Sequence, residues 1–365
     1  MNLHLARPVV VFVSQARGVT YTQRVFHSAE ACVDLGFDVV CLDPVEFDES
    51  LPVEALRAAL AGRPVEAVVF HRVVDSASLS VALRACRRSG ARAIYDVDDL
   101  VFDRDFAALF AELGRGPLAG LTDRADGARR AVTQFEQGWA ATPALVDALE
   151  ALGVGDVTLV RNSFSAAHRA VAMQMSPRST ERSDLVIGYG SGSGTHGRDL
   201  ALIAEPLAAV LRRFPDVRFQ FIGREELPRR LEAVAGQVEK VSPVSYSELL
   251  PLMASWDVSL VPLTPRPFND AKSELKLIDA ALVGVPTIAS PRRSMLEAID
   301  PGRTGVHAAS PDQWRQAMFD LVSDQVDRIL LGARARRHVL ENYGPQSRAA
   351  AVSKGLGSVP VELSA

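Results

Sequence analysis

The chain has 365 residues, 48% of them hydrophobic and 23% charged, with a formal net charge of −4. That length suits two domains better than one core, and the mild negative balance gives no global field for binding nucleic acid. No apolar run reaches the roughly 18 residues of a membrane span, and MNLHLARPVVVFVS shows neither a basic leader nor a cleavage site, so a cytoplasmic protein without a transmembrane segment is expected, compatible with peripheral membrane contact.

The β-branched run Pro8–Ser14 predicts a buried parallel strand, followed by a loop containing Gly18. A helix is expected over Gln23–Leu35, stopped by Gly36. Strands are expected at Asp38–Asp43, Ala67–Arg72 and Ala91–Asp96, with helical segments such as Leu79–Ser89 between them. Gly138–Pro143 and Val157–Ser163 close this first half. The alternation argues for a parallel sheet covered by helices. Cys32, Cys41 and Cys86 fall in no CxxC or Cys/His metal spacing and suit a reducing compartment.

The rhythm breaks after Phe164, and a second series begins at Leu185. Its strands are expected at Leu185–Gly190, Val217–Gly223, Val238–Pro243, Val258–Leu263 and Pro286–Pro291. The implied organisation is a first domain over 1–165, a linker over 166–183, a second domain over 184–342, and a segment 343–365 returning to the first domain.

Open α/β sheets bind ligands beyond the carboxyl ends of their strands, so strand ends carry the candidate residues. SELKLIDAALVGVPTIAS (Ser273–Ser290) predicts a helix with Ser273 as N-cap and with Gly284 and Pro286 as its stop. Lys272 and Lys276 flank its first turn, although only four of the 40 basic residues are lysines. A helix N-terminus already carries a partial positive charge, so the lysines point to an anionic ligand such as phosphate. Asp279 lies three residues on, within reach of ribose hydroxyls; the alternative is a surface helix with Lys276 paired to a carboxylate.

GYGSGSGTHGRDL follows the first strand of the second half, with His196 and Arg198 as donors and Asp199 or Leu200 opening a helix. Gly192, Gly194 and Gly197 formally match G-x-G-x-x-G, with Glu225 the nearest acid for a dinucleotide ribose. In YDVDDLVFD, Asp96, Asp98 and Asp99 crowd a strand end beside His71 and Arg72. Those carboxylates suit a metal, a general base or acceptor hydroxyls, and equally a helix cap or arginine pairing.

Taken together, KSELKLIDAALVGVPTIAS, GSGTHGRDL, FQFIG, SELLPLMASWDVSLVPL and IYDVDDLVFD resemble GT-B-fold glycosyltransferases of the family-4 type, glycosyl transferases group 1. The likeness spans nearly the whole chain and is strongest from Leu185 to Ser290. It implies an α/β protein of two Rossmann-like domains facing across a cleft, the C-terminal one holding a nucleotide-sugar. It also implies retaining, metal-independent transfer of the sugar to an acceptor hydroxyl, with the nucleotide-sugar as substrate and no cofactor. Asp279 matches the second acid of the family's E-x7-E motif, which holds the ribose, and Lys276 and Lys272 fall near the diphosphate. His196 or Arg198 matches the basic residue of the glycine loop. The first acid of the motif would fall at Ala271, with Asp270 adjacent.

The expected donor set is therefore Gly192, Gly194, His196, Arg198, Gly223, Arg224, Lys272, Ser273, Lys276 and Asp279. On the acceptor side, Asp96, Asp98, Asp99 and His71 are the expected catalytic residues. The acceptor is a glycan, a lipid-linked sugar, a protein or a small molecule. The competing readings are a dinucleotide-dependent oxidoreductase using Gly192–Gly197, and a non-catalytic nucleotide-sugar-binding protein, which Ala271 favours.

Overall fold

The run of valines at the start of the first half forms β1 (Val9–Ser14), every residue of it buried. A parallel strand covered on both faces requires such a sequence. The computed structural model describes residues 7–46, 49–175, 184–192, 197–323 and 328–357. These fall into two units. One holds the described residues of Met1–Ser163, Ala271–Ser273 and Pro345–Ala365, the other those of Phe164–Asp270 and Glu274–Gly344.

In the first unit β1 is joined by β2 (Asp38–Cys41), β3 (Val65–His71), β4 (Arg92–Val97), β5 (Gln137–Ala140) and β6 (Asp156–Leu159). All pair in parallel, in the order β2-β1-β3-β4-β5-β6. The order reverses at β1, so the loops leaving β1 and β3 diverge there. One face of the sheet packs Phe12, Ile94 and Trp139 against Val25, Ala29 and Cys32 and against Ala349 and Val352. The covering helices are His27–Asp34 and Pro345–Gly355.

The single helix expected over Gln23–Leu35 is instead a helical turn at Gly18–Tyr21, a π-helical segment at Thr22–Phe26, and an α-helix at His27–Asp34. Within the π segment Arg24 is fully buried, with its guanidinium on Asp96 of β4. π-Turns recur where a side chain must be re-aimed for a functional or structural contact.

The second unit has β7 (Leu185–Gly190), β8 (Val217–Ile222), β9 (Val238–Val241), β10 (Val258–Val261), β11 (Thr287–Ala289) and β12 (Val306–His307). The order is β12-β11-β10-β7-β8-β9, again all parallel. Counted from β7 this is the doubly wound order 3-2-1-4-5-6, whose switch point lies between β7 and β10. Tyr189, Phe219 and Leu260 meet Leu200, Ile203 and Leu207 of helix Gly197–Arg213 in the core.

On β7, Gly188 lets the buried Trp256 ring lie flat on the strand. A Cβ at this position would stand 1.8 Å from Trp256 Cδ2. The indole Nε1 donates to Gln220 Oε1 at 2.7 Å, so the ring is fixed at both ends. The predicted stop of the lysine helix is also present. Gly284 has φ +81°, its N–H donates to Ala281 at 2.9 Å, and that of Val285 donates to Ala280 at 2.9 Å. This pair of bonds is a Schellman cap, which a glycine adopts without strain.

All three cysteines are free. Burial raises each thiol pKa, that of Cys41 to about 11 and that of Cys86 to about 12. No described helix is long and apolar enough to cross a membrane.

Candidate active site

In the second unit, the loops after β7 and β10 part at the switch point. Ser191 and Gly192 begin the first of them, while Gly194 and His196 lie outside the described residues. Helix Gly197–Arg213 follows, with Arg198 exposed and Asp199 buried. Asp199 Oδ1 accepts from Thr264 N at 2.8 Å, Thr264 Oγ1 at 2.9 Å and Asn269 Nδ2 at 3.1 Å. One buried carboxylate thus ties the start of this helix to the proline-rich loop after β10. Ser191 Oγ donates to the carboxylate of Glu225 beyond β8. That hydroxyl therefore engages the acid a dinucleotide fingerprint would need for its ribose.

The lysine helix runs from Leu275 to Leu282 with Glu274 at its N-cap. Ser273, expected there, is one residue early and its hydroxyl accepts from Asn162 Nδ2 at 3.0 Å. Lys272 also precedes the helix. It belongs to the first unit, where its Nζ is 2.8 Å from Asp99 Oδ1. Lys276 alone of the two lies in the first turn. Its Nζ stands 4.8 Å from the ring centroid of Tyr189 on β7, within cation–π range. Asp279, one turn on, is buried. Gly223 is buried with its N–H on Val241 O at 3.0 Å, and Arg224 is exposed. Ala271 is buried and its carbonyl accepts from Thr142 Oγ1 at 3.1 Å. The neighbouring Asp270 pairs with Arg292 at 3.2 Å.

In the first unit the strand ends hold a chain of charged groups. Ser14 Oγ and His71 Nδ1 are 2.9 Å apart, across the switch point between β1 and β3. His71 Nε2 is 3.4 Å from Asp98 Oδ1, which also receives Arg72 Nε at 2.5 Å. Arg72 Nη2 reaches Asp99 at 2.5 Å, and Asp99 holds Lys272. Burial by itself would raise the Asp98 carboxyl; Arg72, then His71 and Arg24, outweigh it and hold the group well below the usual carboxylate range. Arg72 has φ +54°, making it the one non-glycine residue with positive φ among those described. Left-handed backbone of this kind costs about 1–3 kcal/mol and persists where the surroundings impose it. Here it carries a guanidinium that bridges two carboxylates.

Asp96 is fully buried and receives Arg24 Nη2 at 2.5 Å and Nε at 3.2 Å. Arg24 also donates to Asn162 Oδ1 at 3.2 Å. The D-x-D pattern of Asp96 and Asp98 is therefore met by guanidinium groups, which take the oxygens a cation would need. Among the described residues, no three His, Cys, Asp or Glu side chains are grouped to hold a metal.

Solved structures share this architecture. HepE from Anabaena, solved in complex with UDP and glucose, superposes with TM-score 0.67 at 13% identity, covering 97% of this chain and 100% of that one. A glycosyltransferase from Rickettsia africae gives 0.68 at 11% identity, also over 97% and 100%. Sucrose-phosphate synthase from Thermosynechococcus elongatus gives 0.64 at 16% identity, over 95% and 98%. At such identities the likeness establishes the GT-B fold. No curated protein matches the chain. Residues 191–324 match the profile of the family described as Glycosyl transferases group 1. That stretch is similar to group 1 glycosyltransferases, and the chain as a whole has the GT-B fold.

The profile match spans the glycine loop and the lysine helix of the second unit. Sequence reasoning named Lys276, Asp279 and Arg198 within that span. It gave no role to Tyr189, which reads as one more aromatic in a buried strand. It left Arg24 unmentioned, since an arginine in TQRVF looks like a solvated helix position. Asn162, bridging Arg24 and Ser273, carried no signal at all.

Proposed function

We propose that the enzyme moves a sugar from a nucleotide-sugar donor to an acceptor hydroxyl, with retention of anomeric configuration and without a metal ion. The observation that carries this reading is Lys276 in the first turn of a helix that opens beside the switch point of the second sheet. When the glycosidic bond breaks, negative charge grows on the departing nucleoside diphosphate. Preorganised backbone N–H groups at a helix N-terminus and a fixed ammonium stabilise that charge as it develops. A hydrogen bond to a charged group contributes about 1.5–3 kcal/mol. That stabilisation substitutes for the divalent cation that other transferases use. Asp279, one turn further in, is the candidate ribose acceptor.

The complexes of HepE with UDP and with UDP-glucose support uridine diphosphate sugars as the first donors to try. The acceptor class, whether glycan, lipid-linked sugar, protein or small molecule, is read by the first unit. Asp98 and Asp99, oriented by Arg72, are its candidate acceptor-facing carboxylates, with His71 behind them. Asp96, sealed against Arg24, serves to hold that strand end in shape.

The test is a melting-temperature panel of nucleoside diphosphates and nucleotide-sugars, with NAD(P) as the control for an oxidoreductase. The matching donor stabilises the fold by RT ln(1 + [L]/Kd). Lys276→Ala should abolish the shift and leave the ligand-free melting temperature in place. Transfer persisting in EDTA, with the product anomer read by NMR, checks the metal and stereochemical parts. Loss of activity in EDTA that Mg²⁺ or Mn²⁺ restores would overturn the metal-free mechanism.

A further inference from the structure

We infer that Ser14 is a positioning residue for acceptor binding: through the His71 ring it holds Asp98 so that one carboxylate oxygen, Oδ2, stays open to the incoming hydroxyl. The inference rests on the acceptor reading above and narrows it to one of three aspartates. The three differ in how many of their oxygens are taken. Arg24 covers Asp96 on both, with Nη2 on Oδ1 and Nε on Oδ2. Asp99 is closed as well, with Lys272 on Oδ1 and Arg72 on Oδ2. Asp98 is held by Oδ1 alone, by Arg72 Nε at 2.5 Å and His71 Nε2 at 3.4 Å. Its side chain is 8% exposed. Oδ2 has no hydrogen-bond partner among the described residues, yet it is not one of the sealed polar atoms. An almost wholly buried carboxylate with one bare oxygen is a ready acceptor for an O–H group. Arg72 keeps it ionised, so it takes a neutral hydroxyl and repels an anionic group.

Arg72 by itself does not set this orientation. Its fork is split between two aspartates, so Asp98 receives one N–H rather than a bidentate pair. A carboxylate gripped at one point turns about its Cβ–Cγ bond, whose torsion is broad. A second donor on the same oxygen stops that turn. His71 supplies it only when Nε2 carries a proton, and Ser14 secures that state. Ser14 ends β1 and pairs in register with His71 at the end of β3, which sets its Oγ 2.9 Å from Nδ1. Both residues are buried. A hydroxyl donating to Nδ1 leaves the proton of a neutral ring on Nε2, the nitrogen that faces Asp98. The hydroxyl's other acceptor is Ala16 O at 3.0 Å. When the ring is doubly protonated, Nδ1–H donates to Oγ and the hydroxyl turns to Ala16. Either arrangement of protons keeps an N–H on the Asp98 side. Oγ also accepts from Ala16 N at 3.1 Å, so the hydroxyl is itself held in place.

The experiment has two readouts. Imidazole nitrogen NMR spectra of histidine-labelled protein, with His71 assigned by its absence in His71→Ala, show which ring nitrogen carries the proton. Nε2 should be protonated in the parent, and Ser14→Ala should displace the Nδ1 resonance. A ring protonated on Nδ1 alone, or a spectrum that Ser14→Ala leaves unaltered, would overturn the inference. The second readout is UDP release from UDP-glucose with water as the acceptor, measured beside UDP affinity. Loss of a neutral hydrogen bond of about 0.5–1.5 kcal/mol corresponds to about 2- to 13-fold. Ser14→Ala should lower the hydrolysis rate by that factor with UDP affinity intact, and by almost nothing in the His71→Ala background. Ser14→Thr, which keeps the hydroxyl, should restore the rate. Equal losses in both backgrounds assign Ser14 to packing and refute the inference. A parent that binds no UDP overturns the donor reading instead, and the ring spectra then decide for Ser14 alone. If Ser14→Ala does not fold, Ser14→Cys, a weaker donor of similar size, takes its place in both readouts.

Discussion

Asp199 Oδ1 lies 2.8 Å from the backbone nitrogen of Thr264, joining the first turn after the glycine loop to the loop that leads to Lys272. Two strands that are neighbours in the sheet and far apart in sequence are thereby locked at the point where their loops part. Asp199→Ala leaves the Thr264 N–H without its acceptor, while the Asn269 amide keeps its bonds to Thr264. A buried donor so stranded costs about 1–3 kcal/mol. The expected outcome is a lower denaturant midpoint together with a raised donor KM, checked by urea unfolding and steady-state kinetics. Unchanged values in both would show that the carboxylate is dispensable.

Two buried arginines of the first unit should respond in opposite ways. Arg24 holds Asp96 through two hydrogen bonds, so Arg24→Met strands a buried carboxylate. That change should cost about 3–5 kcal/mol. Arg348 donates to Ser163 Oγ at 2.8 Å and Ser28 Oγ at 3.0 Å, and its Nη2 has no partner among the described residues. Burial, then the nearby Arg24 charge, lowers its pKa to about 9. Arg348→Met should be neutral or stabilising, as replacement of a poorly compensated buried ion often is. Chemical unfolding of the two variants side by side gives the comparison.

His168 links stability to pH. It closes a capping box on helix Ala166–Met173, its Nδ1 accepting from Ser165 N at 3.1 Å. Burial lowers its pKa to about 4, against an ordinary value near 6.5. Between those values the unfolded chain binds the proton and the folded chain does not. Stability therefore rises with pH across that window, and the contribution is lost as pH falls from about 6.5 towards 4. His168→Gln keeps an acceptor at the same capping position and should flatten that part of the melting-temperature profile.

The fold was legible where its causes are local. Runs such as PVVVFVS and VRFQFIG need no distant partner to read as buried strands, and Gly284 with Pro286 announced the end of the lysine helix. The site was legible only in part, because its organising contacts join residues far apart in sequence. Arg24 meets a carboxylate 72 positions away, and Asp199 meets Thr264 across 65. Nothing in either stretch names the other. Ser273 was assigned to the N-cap because its residue type favours caps. Asn162, 111 positions earlier, takes its hydroxyl instead.

Gly188→Ala tests how tightly the second sheet is specified. Its methyl would collide with the Trp256 ring at 1.8 Å, and the ring is anchored through Gln220. Overpacking of this kind costs about 1–3 kcal/mol or more. Trp256→Leu in the Gly188→Ala background should recover part of that loss, measurable as non-additive unfolding free energies.

The three free thiols have a practical consequence. Cys32 and Cys86 are buried, and Cys41, with a thiol pKa near 11, is almost wholly protonated at neutral pH. Thiolate is the species that reacts with maleimides, so the parent chain should label slowly at pH 7. A cysteine introduced at the exposed Arg224 would then react first. That offers a dark background on which a single fluorophore, carried by a candidate donor-site position after β8, is expected to report nucleotide arrival in real time.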